Sequence, residues 1–185
     1  MRRVTGLSAL TAVVALLSAS GAAAQTTVFV GGAATIPVGG YAEVARTGWM
    51  AFGRALFGVG DARLSLGAEG FVGSNRHDIT GEKSNLYGGT ALVGLSIHDS
   101  DAVGVSVFGG VGGMIHSRKS ESFPGLDTSK AGLTASVGAG LEVPLGPVGG
   151  FLAGTYTQGL GAVDTAAFPT RFLAISGGVT IPLGG

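Results

Sequence analysis

From Thr26 onward the chain alternates, with apolar side chains recurring at every second residue and small or polar ones between them. A period of two sends successive side chains to opposite faces and is the mark of a strand whose faces meet different surroundings. The pattern is cleanest between residues 102 and 117. There Val103, Val105, Val107, Val111 and Ile115 share one face, opposed by Ala102, Gly104, Ser106, Gly110 and Gly112. A second run repeats it, with Leu133, Ala135, Val137, Ala139 and Leu141 against Gly132, Thr134, Ser136, Gly138 and Gly140. Extended along the chain, the same reading predicts eight strands at residues 26–37, 49–58, 62–74, 84–97, 102–117, 128–143, 149–158 and 169–182. In the seventh, the parity around Leu152 to Tyr156 is ambiguous.

The connections alternate in length. Residues 58–61, 98–101 and 144–147 are rich in Gly, Asp, Ser and Pro and predict tight turns. Residues 38–48, 75–83, 118–127 and 159–168 predict longer polar loops. Strands with short turns at one end and long loops at the other follow the plan of a transmembrane barrel, and an even strand count brings both termini to the short-turn, periplasmic end.

A water-soluble barrel shows the same period with its apolar face inward, so charge has to separate the two. Only 12% of the 185 residues are charged, against about 25% in an ordinary soluble domain. Nearly all of them fall in turns, loops or strand ends, whereas a water-facing exterior carries charge along its strands. The Val/Leu/Ala face therefore suits lipid, and the Gly/Ser/Thr face suits a narrow lumen. The expected fold is all-β: an eight-stranded antiparallel up-and-down transmembrane β-barrel after a cleaved signal peptide. The 36 glycines come with 45% hydrophobic residues, which argues for a folded chain over a disordered one. The absence of Cys excludes disulfides and thiol chemistry, and a formal net charge of zero gives no footprint for nucleic acid.

Two charges fall mid-strand, Arg54 and Glu69, and both have inward parity. A two-residue turn at Val59-Gly60 sets Arg54 opposite Ser65 and leaves Glu69 about 13 Å out of register along the strand. On that reading Ser65 or a water bridges the two, or each is solvated by itself, or the inward-facing Glu142 is the partner of Arg54. Trp49, Phe57, Tyr87 and Phe151 lie near strand ends on the outward parity, where an interfacial aromatic girdle needs them.

Ahead of the barrel, Met1-Arg2-Arg3 is a basic start, residues 4–20 are largely apolar, and Ala22-Ala23-Ala24 fits the small-residue rule for signal peptidase. The expectation is a signal peptide over 1–24, export by Sec, and a barrel domain over 25–185. Loss of Arg2 and Arg3 leaves the mature chain with a net charge of −2, since basic and acidic residues number 11 each overall.

Ile36-Pro37-Val38-Gly39-Gly40, Phe108-Gly109-Gly110-Val111-Gly112-Gly113 and Ser136-Val137-Gly138-Ala139-Gly140-Leu141-Glu142 give the mature chain a pattern that resembles the OmpA/OmpX-like superfamily of eight-stranded outer-membrane barrels, in its small single-domain form. The resemblance implies a monomer in the outer membrane of a Gram-negative-type bacterium. Its partners would be outer-membrane lipid, lipopolysaccharide and the barrel-assembly machinery, with no nucleic acid, no cofactor and an unidentified loop partner. These patterns mark architecture, which such proteins share across different activities. The chain differs in closing on Ile181-Pro182-Leu183-Gly184-Gly185 where such proteins usually finish with an aromatic residue.

Candidate chemistry is sparse. His98-Asp99-Ser100-Asp101 holds the residue types of a triad or a metal site, but neighbours in a tight turn diverge, and a turn is the expected role. His77 and His116 fall at the long-loop end, where Asp78 or Glu82 would complete a surface cation site or, more simply, a solvated loop. His116 and Ser117 leave opposite faces of their strand, so the adjacent His and Ser of a lipid A deacylase are not assembled. The reading is of no catalytic or metal residue and of a structural or surface-interaction role through the loops. A narrow pore or hydrophobic-ligand channel is the alternative, with a lipid A-modifying enzyme disfavoured.

Overall fold

The structure is a computed structural model and describes residues 26–59, 63–78, 82–120, 128–160 and 170–183. The leader and its cleavage site lie outside the described residues. Eight strands follow one another: β1 (Thr26–Pro37), β2 (Ala45–Val59), β3 (Leu64–His77), β4 (Glu82–Asp99), β5 (Gly104–Ser120), β6 (Thr128–Pro144), β7 (Gly149–Leu160) and β8 (Arg171–Leu183). A short 3-10 helix, η1 (Gly39–Glu43), joins β1 to β2. Each strand pairs antiparallel with its sequence neighbour, and β8 pairs with β1, so the sheet closes. Closure gives every strand two partners, the condition for carrying backbone polar groups through hydrocarbon. A line of paired residues from Thr26 passes through Phe57, Leu66, Val93, Gly109, Val137, Tyr156 and Leu173 and returns to β1 at Ile36. That stagger of ten residues, from 26 to 36, tilts the strands against the barrel axis.

Several strands outrun the apolar pattern at the long-loop end. β2 begins at Ala45, ahead of the expected Trp49, and β4 begins at Glu82. Backbone pairing continues after the side chains turn polar, because the ladder does not depend on them. At the other end Val59 pairs with Leu64. The connection is therefore longer than a two-residue turn, and the register shifts by four residues from the expected one. Gly58 faces Ser65, and Arg54 faces Glu69 directly. The expected turn at residues 98–101 also moves: Ser100 accepts from the Val103 amide at 3.2 Å and donates to the Val103 carbonyl at 3.0 Å, which starts the turn two residues later.

The exterior is apolar. Val72, Val93, Val111, Leu133, Val137, Leu152 and Ile175 are all exposed, far more than water permits on a soluble protein of this size. Paired outward rows descend from Ala51, Val72, Tyr87 and Ile115 to Val59, Leu64, Leu95 and Val107 with no charged residue among them. Eight residues of strand span roughly 26 Å before tilt, close to the apolar band of a membrane barrel.

The lumen is fuller than its Gly/Ser/Thr face suggests. Met50, Phe52, Phe71, Leu86, Met114 and Phe172 form a buried cluster inside it, with Phe151 packed alongside. The inward glycines make room for these rings: a Cβ on Gly138 would stand 2.6 Å from Phe108 Cζ and 2.6 Å from the Gly154 carbonyl oxygen. Gly138→Ala should therefore destabilise the barrel by about 1–3 kcal/mol through overpacking. Gly70→Ala, which meets nothing within 4 Å, should leave the urea midpoint in lipid unchanged.

Candidate functional site

Among the described residues, two polar constellations inside the barrel stand on either side of the apolar cluster. The deeper one is built on β2 and β3. Arg54 donates from Nε at 2.9 Å and from Nη2 at 2.6 Å to Glu69 Oε2, and the side chains are 6% and 12% exposed. Three aromatic rings surround the guanidinium, with Phe108 at 4.3 Å from Cζ and Phe52 and Phe29 at 5.7 and 5.8 Å. A ring face carries negative charge, so it stabilises a cation that has left water. Beside the pair remains a cavity of about 20 Å³, room for about one water. Towards the short turns the lumen opens into about 210 Å³, lined by Arg54, Ser65, Ser106 and Glu142 among others. Glu142 is not the partner of Arg54. Its Oε1 accepts from Thr180 Oγ1 at 2.6 Å, at the turn end of the barrel.

The second constellation closes the long-loop mouth. His77 and His116 stand neither in a solvated loop nor at a surface cation site. Each points inward, with Nε2 2.6 Å from Ser84 Oγ. A hydroxyl has one proton and two lone pairs, so Ser84 can donate to one imidazole and accept from the other. His116 Nδ1 lies 2.8 Å from Thr170 Oγ1, and Tyr41 of η1 lays its ring edge-on to His116 at 5.8 Å. Glu82 Oε2 lies 3.9 Å from His77 Nδ1 and accepts from Arg118 Nε at 3.0 Å. Below, Asn75 Nδ2 donates to Thr35 Oγ1 at 3.0 Å and to the Arg46 carbonyl at 2.8 Å.

Ser84, His77 and Glu82 thus have the composition of a hydrolytic triad without its working geometry. Ser84 is fully buried, it is shared with a second imidazole, and 3.9 Å is too long for the orienting hydrogen bond. Among the described residues no group of three His, Asp or Glu converges on a common point that would hold a metal ion. Sequence reading missed Ser84, Tyr41 and Thr170. Part of the signal was present, since the inward parity of Ser106 and Gly112 continues to His116 and Arg118.

The phenol of Tyr41 is buried, and no hydrogen bond of normal geometry reaches its oxygen. Burial pushes its pKa up to about 12, and the nearby Ser84 hydroxyl draws it back only in part. The folded state then holds this proton after the unfolded chain has released it near 10, so stability falls as pH rises from about 10 to about 12. Tyr41→Phe should flatten the stability profile in that window, measured as unfolding midpoint against pH.

Of the aromatic residues expected at an outer girdle, Trp49, Phe57 and Tyr87 stand on the outward face. Phe57 sits among Leu66 and Val93, within the apolar band. Phe151 is a correction: β7 turns its odd-numbered residues inward, and the ring packs edge-on to Phe29 at 5.5 Å and Phe52 at 5.9 Å. This also resolves the ambiguous parity of the seventh strand, with Leu152 outside and Ala153 buried.

A closed eight-stranded barrel with an apolar exterior, a filled lumen and up-and-down order has the fold of outer-membrane barrels of the OmpA/OmpX-like type. Neisserial surface protein A has a similar structure, with a TM-score of 0.65 at 14% identity over 84% of this chain and 96% of that one. Ail, the attachment invasion locus protein of Yersinia pestis, in complex with the heparin analogue sucrose octasulfate, is similar at a TM-score of 0.51 and 11% identity, over 86% of this chain and 100% of that one. No protein-family model matches the sequence, and no curated protein matches it significantly.

Proposed function

We propose that the protein is an outer-membrane barrel of a Gram-negative-type envelope that works through its surfaces and not through its lumen or by catalysis. The observation carrying this reading is the filled interior, in which the Arg54–Glu69 pair and the ring of phenylalanines leave about 20 Å³ at mid-barrel. Eight strands leave little more than the volume their own side chains occupy, and here aromatic rings take it. The fold is shared with proteins described as a surface protein and as an attachment protein, which supports an interaction role at the long-loop end. On this reading the chain is exported by Sec, inserted by the barrel-assembly machinery, and monomeric in a bilayer containing lipopolysaccharide.

The test is paired. The mature chain should fractionate with the outer membrane and change gel mobility on boiling, because a closed barrel has no free edge at which unfolding starts. In planar bilayers it should show no steady conductance. Recovery in the soluble periplasmic extract would remove the membrane reading, and steady ion channels from the unmodified protein would favour the pore.

A further inference from the structure

The polar network at the long-loop mouth ties β3, β4, β5, η1 and the residue ahead of β8 together through one hydroxyl. Ser84 Oγ lies 2.6 Å from His77 Nε2 and 2.6 Å from His116 Nε2. From His116 the brace continues across the mouth, with Nδ1 2.8 Å from Thr170 Oγ1 and the Tyr41 ring edge-on at 5.8 Å. Ser84, His116, Thr170 and Tyr41 are each at most 2% exposed, so bulk water does not stand in for these contacts. Proton counting then limits the charge the network holds, because a hydroxyl has one proton and two lone pairs. With both rings neutral, Ser84 donates to one and accepts from the other. With one ring charged the pattern still closes, since the imidazolium donates to Ser84 and Ser84 donates to the neutral ring. With both charged, Ser84 has to accept from both Nε2 atoms, and its own proton loses its acceptor. Two cations then stand roughly 5 Å apart out of water, where like charges repel strongly. The charged groups around them do not offset this. Glu82, 3.9 Å from His77 Nδ1, is engaged by Arg118, and Asp78 is engaged by Arg46. Lys130 of β6 is the register partner of His116 and adds positive charge on the same face. Burial pushes the His77 pKa down and Arg118 pushes it further, with Glu82 and Asp78 opposing in part.

We propose that His77, Ser84 and His116 form an acid-released lock on the long-loop mouth, closed while at most one imidazole is charged and released when both are. The release runs through Tyr41. Its oxygen lies beside Ser84, is buried and has no hydrogen bond of normal geometry, and it keeps its own proton throughout the imidazole range. For it to accept the stranded Ser84 proton the phenol has to shift, and η1 moves with it. Below the mouth, the Arg54–Glu69 pair and the apolar cluster hold the barrel together, so the release is confined to the long-loop end. The lock goes beyond the surface role proposed above and does not depend on it. It gives the long-loop face one shape at neutral pH and another in acid, below about pH 6.5.

The test is hydrogen–deuterium exchange of the mature protein folded in detergent micelles, read by mass spectrometry at pH 7.5 and pH 5.0 with the intrinsic pH dependence of exchange divided out. Amides of residues 39–43 should exchange at least about tenfold faster in acid, with little change at residues 50–56 in the middle of β2. His77→Gln and His116→Gln each keep a side chain that hydrogen-bonds Ser84 and carries no charge, so either one alone should abolish the acceleration. His98→Gln, at the short-turn end, should keep it. No acceleration in the folded wild type, or one that survives both single variants, overturns the proposal. An acceleration that survives them and disappears in Glu82→Gln assigns the effect to the Glu82–Arg118 pair instead. Faster exchange that spreads equally to residues 50–56 reports unfolding of the whole barrel and also overturns the lock. Every protein is first checked for the boiled-to-unboiled mobility change. Should a glutamine variant not fold, imidazole titration of the wild type by nuclear magnetic resonance decides. His77 and His116 should take up their protons in two separate steps, with exchange at residues 39–43 following the second. Exchange that follows the first step, or neither, overturns the shared-hydroxyl mechanism.

Discussion

Arg54→Ala, with Glu69 intact, is expected to cost about 3–5 kcal/mol of unfolding free energy in lipid, because it leaves a carboxylate in a site almost closed to water. Glu69→Ala should cost a similar amount, as the Phe108 ring is a weaker partner for the guanidinium than a carboxylate is. The double variant should cost much less than the sum, with a coupling energy above about 1.5 kcal/mol in a double-mutant cycle. The expectation follows from geometry: two hydrogen bonds run to one carboxylate oxygen, from directly paired residues, with side chains 6% and 12% exposed. A coupling of about 0.3 kcal/mol or less would mean that water screens the charges and that the lumen is wetter than its packing implies. An apolar pair of similar volume, Arg54→Met with Glu69→Leu, should be near neutral in stability, since the ion pair offsets its own desolvation without adding much beyond it.

The second large effect belongs to the outer face. Val111→Arg and Val137→Arg place a guanidinium on side chains that are 65% and 59% exposed, midway along the outward apolar runs of β5 and β6. If hydrocarbon covers that face, each should cost about 2–4 kcal/mol, and Val143→Arg near the turn end about 0–1 kcal/mol. Urea unfolding of the three variants in the same lipid reads the depth profile. A flat profile near zero would put water on the outside and leave the exposed valines and leucines without an explanation.

The ion pair and the outer valines belong to different layers of the molecule. The outward face was legible along the chain, since Val103 to Ile115 and Leu133 to Leu141 declare their parity and the scarcity of strand charges says what lies outside. All eight strands lie within a few residues of their expected positions, because an apolar outer wall has to repeat the same two-residue alternation in every strand. The inward face was harder to read. Phe52, Phe71, Phe108 and Phe172 share parity with Gly, Ser and Thr, and pattern alone does not show that rings from facing strands fill one space. Phe151 was misplaced for the same reason: β7 mixes apolar residues on both faces, so alternation there carries no sign.

The mouth and the mid-barrel pair show where local reading stops. His77, Ser84 and His116 come from three strands, and each looks bland in its own segment; they form one network because two registers align. Arg54 and Glu69 were identified as the charges that matter, yet their contact depended on a connection two residues longer than the turn the residues suggest, which shifts the strands by four residues in register. The sequence by itself determined the number of strands and the direction of each face in most of them, because an apolar wall constrains every outward position by itself, one residue at a time. Only the tertiary structure decided which inward groups meet, since register and closure are set by the whole sheet at once and a side chain's partner across the lumen has no fixed distance along the chain.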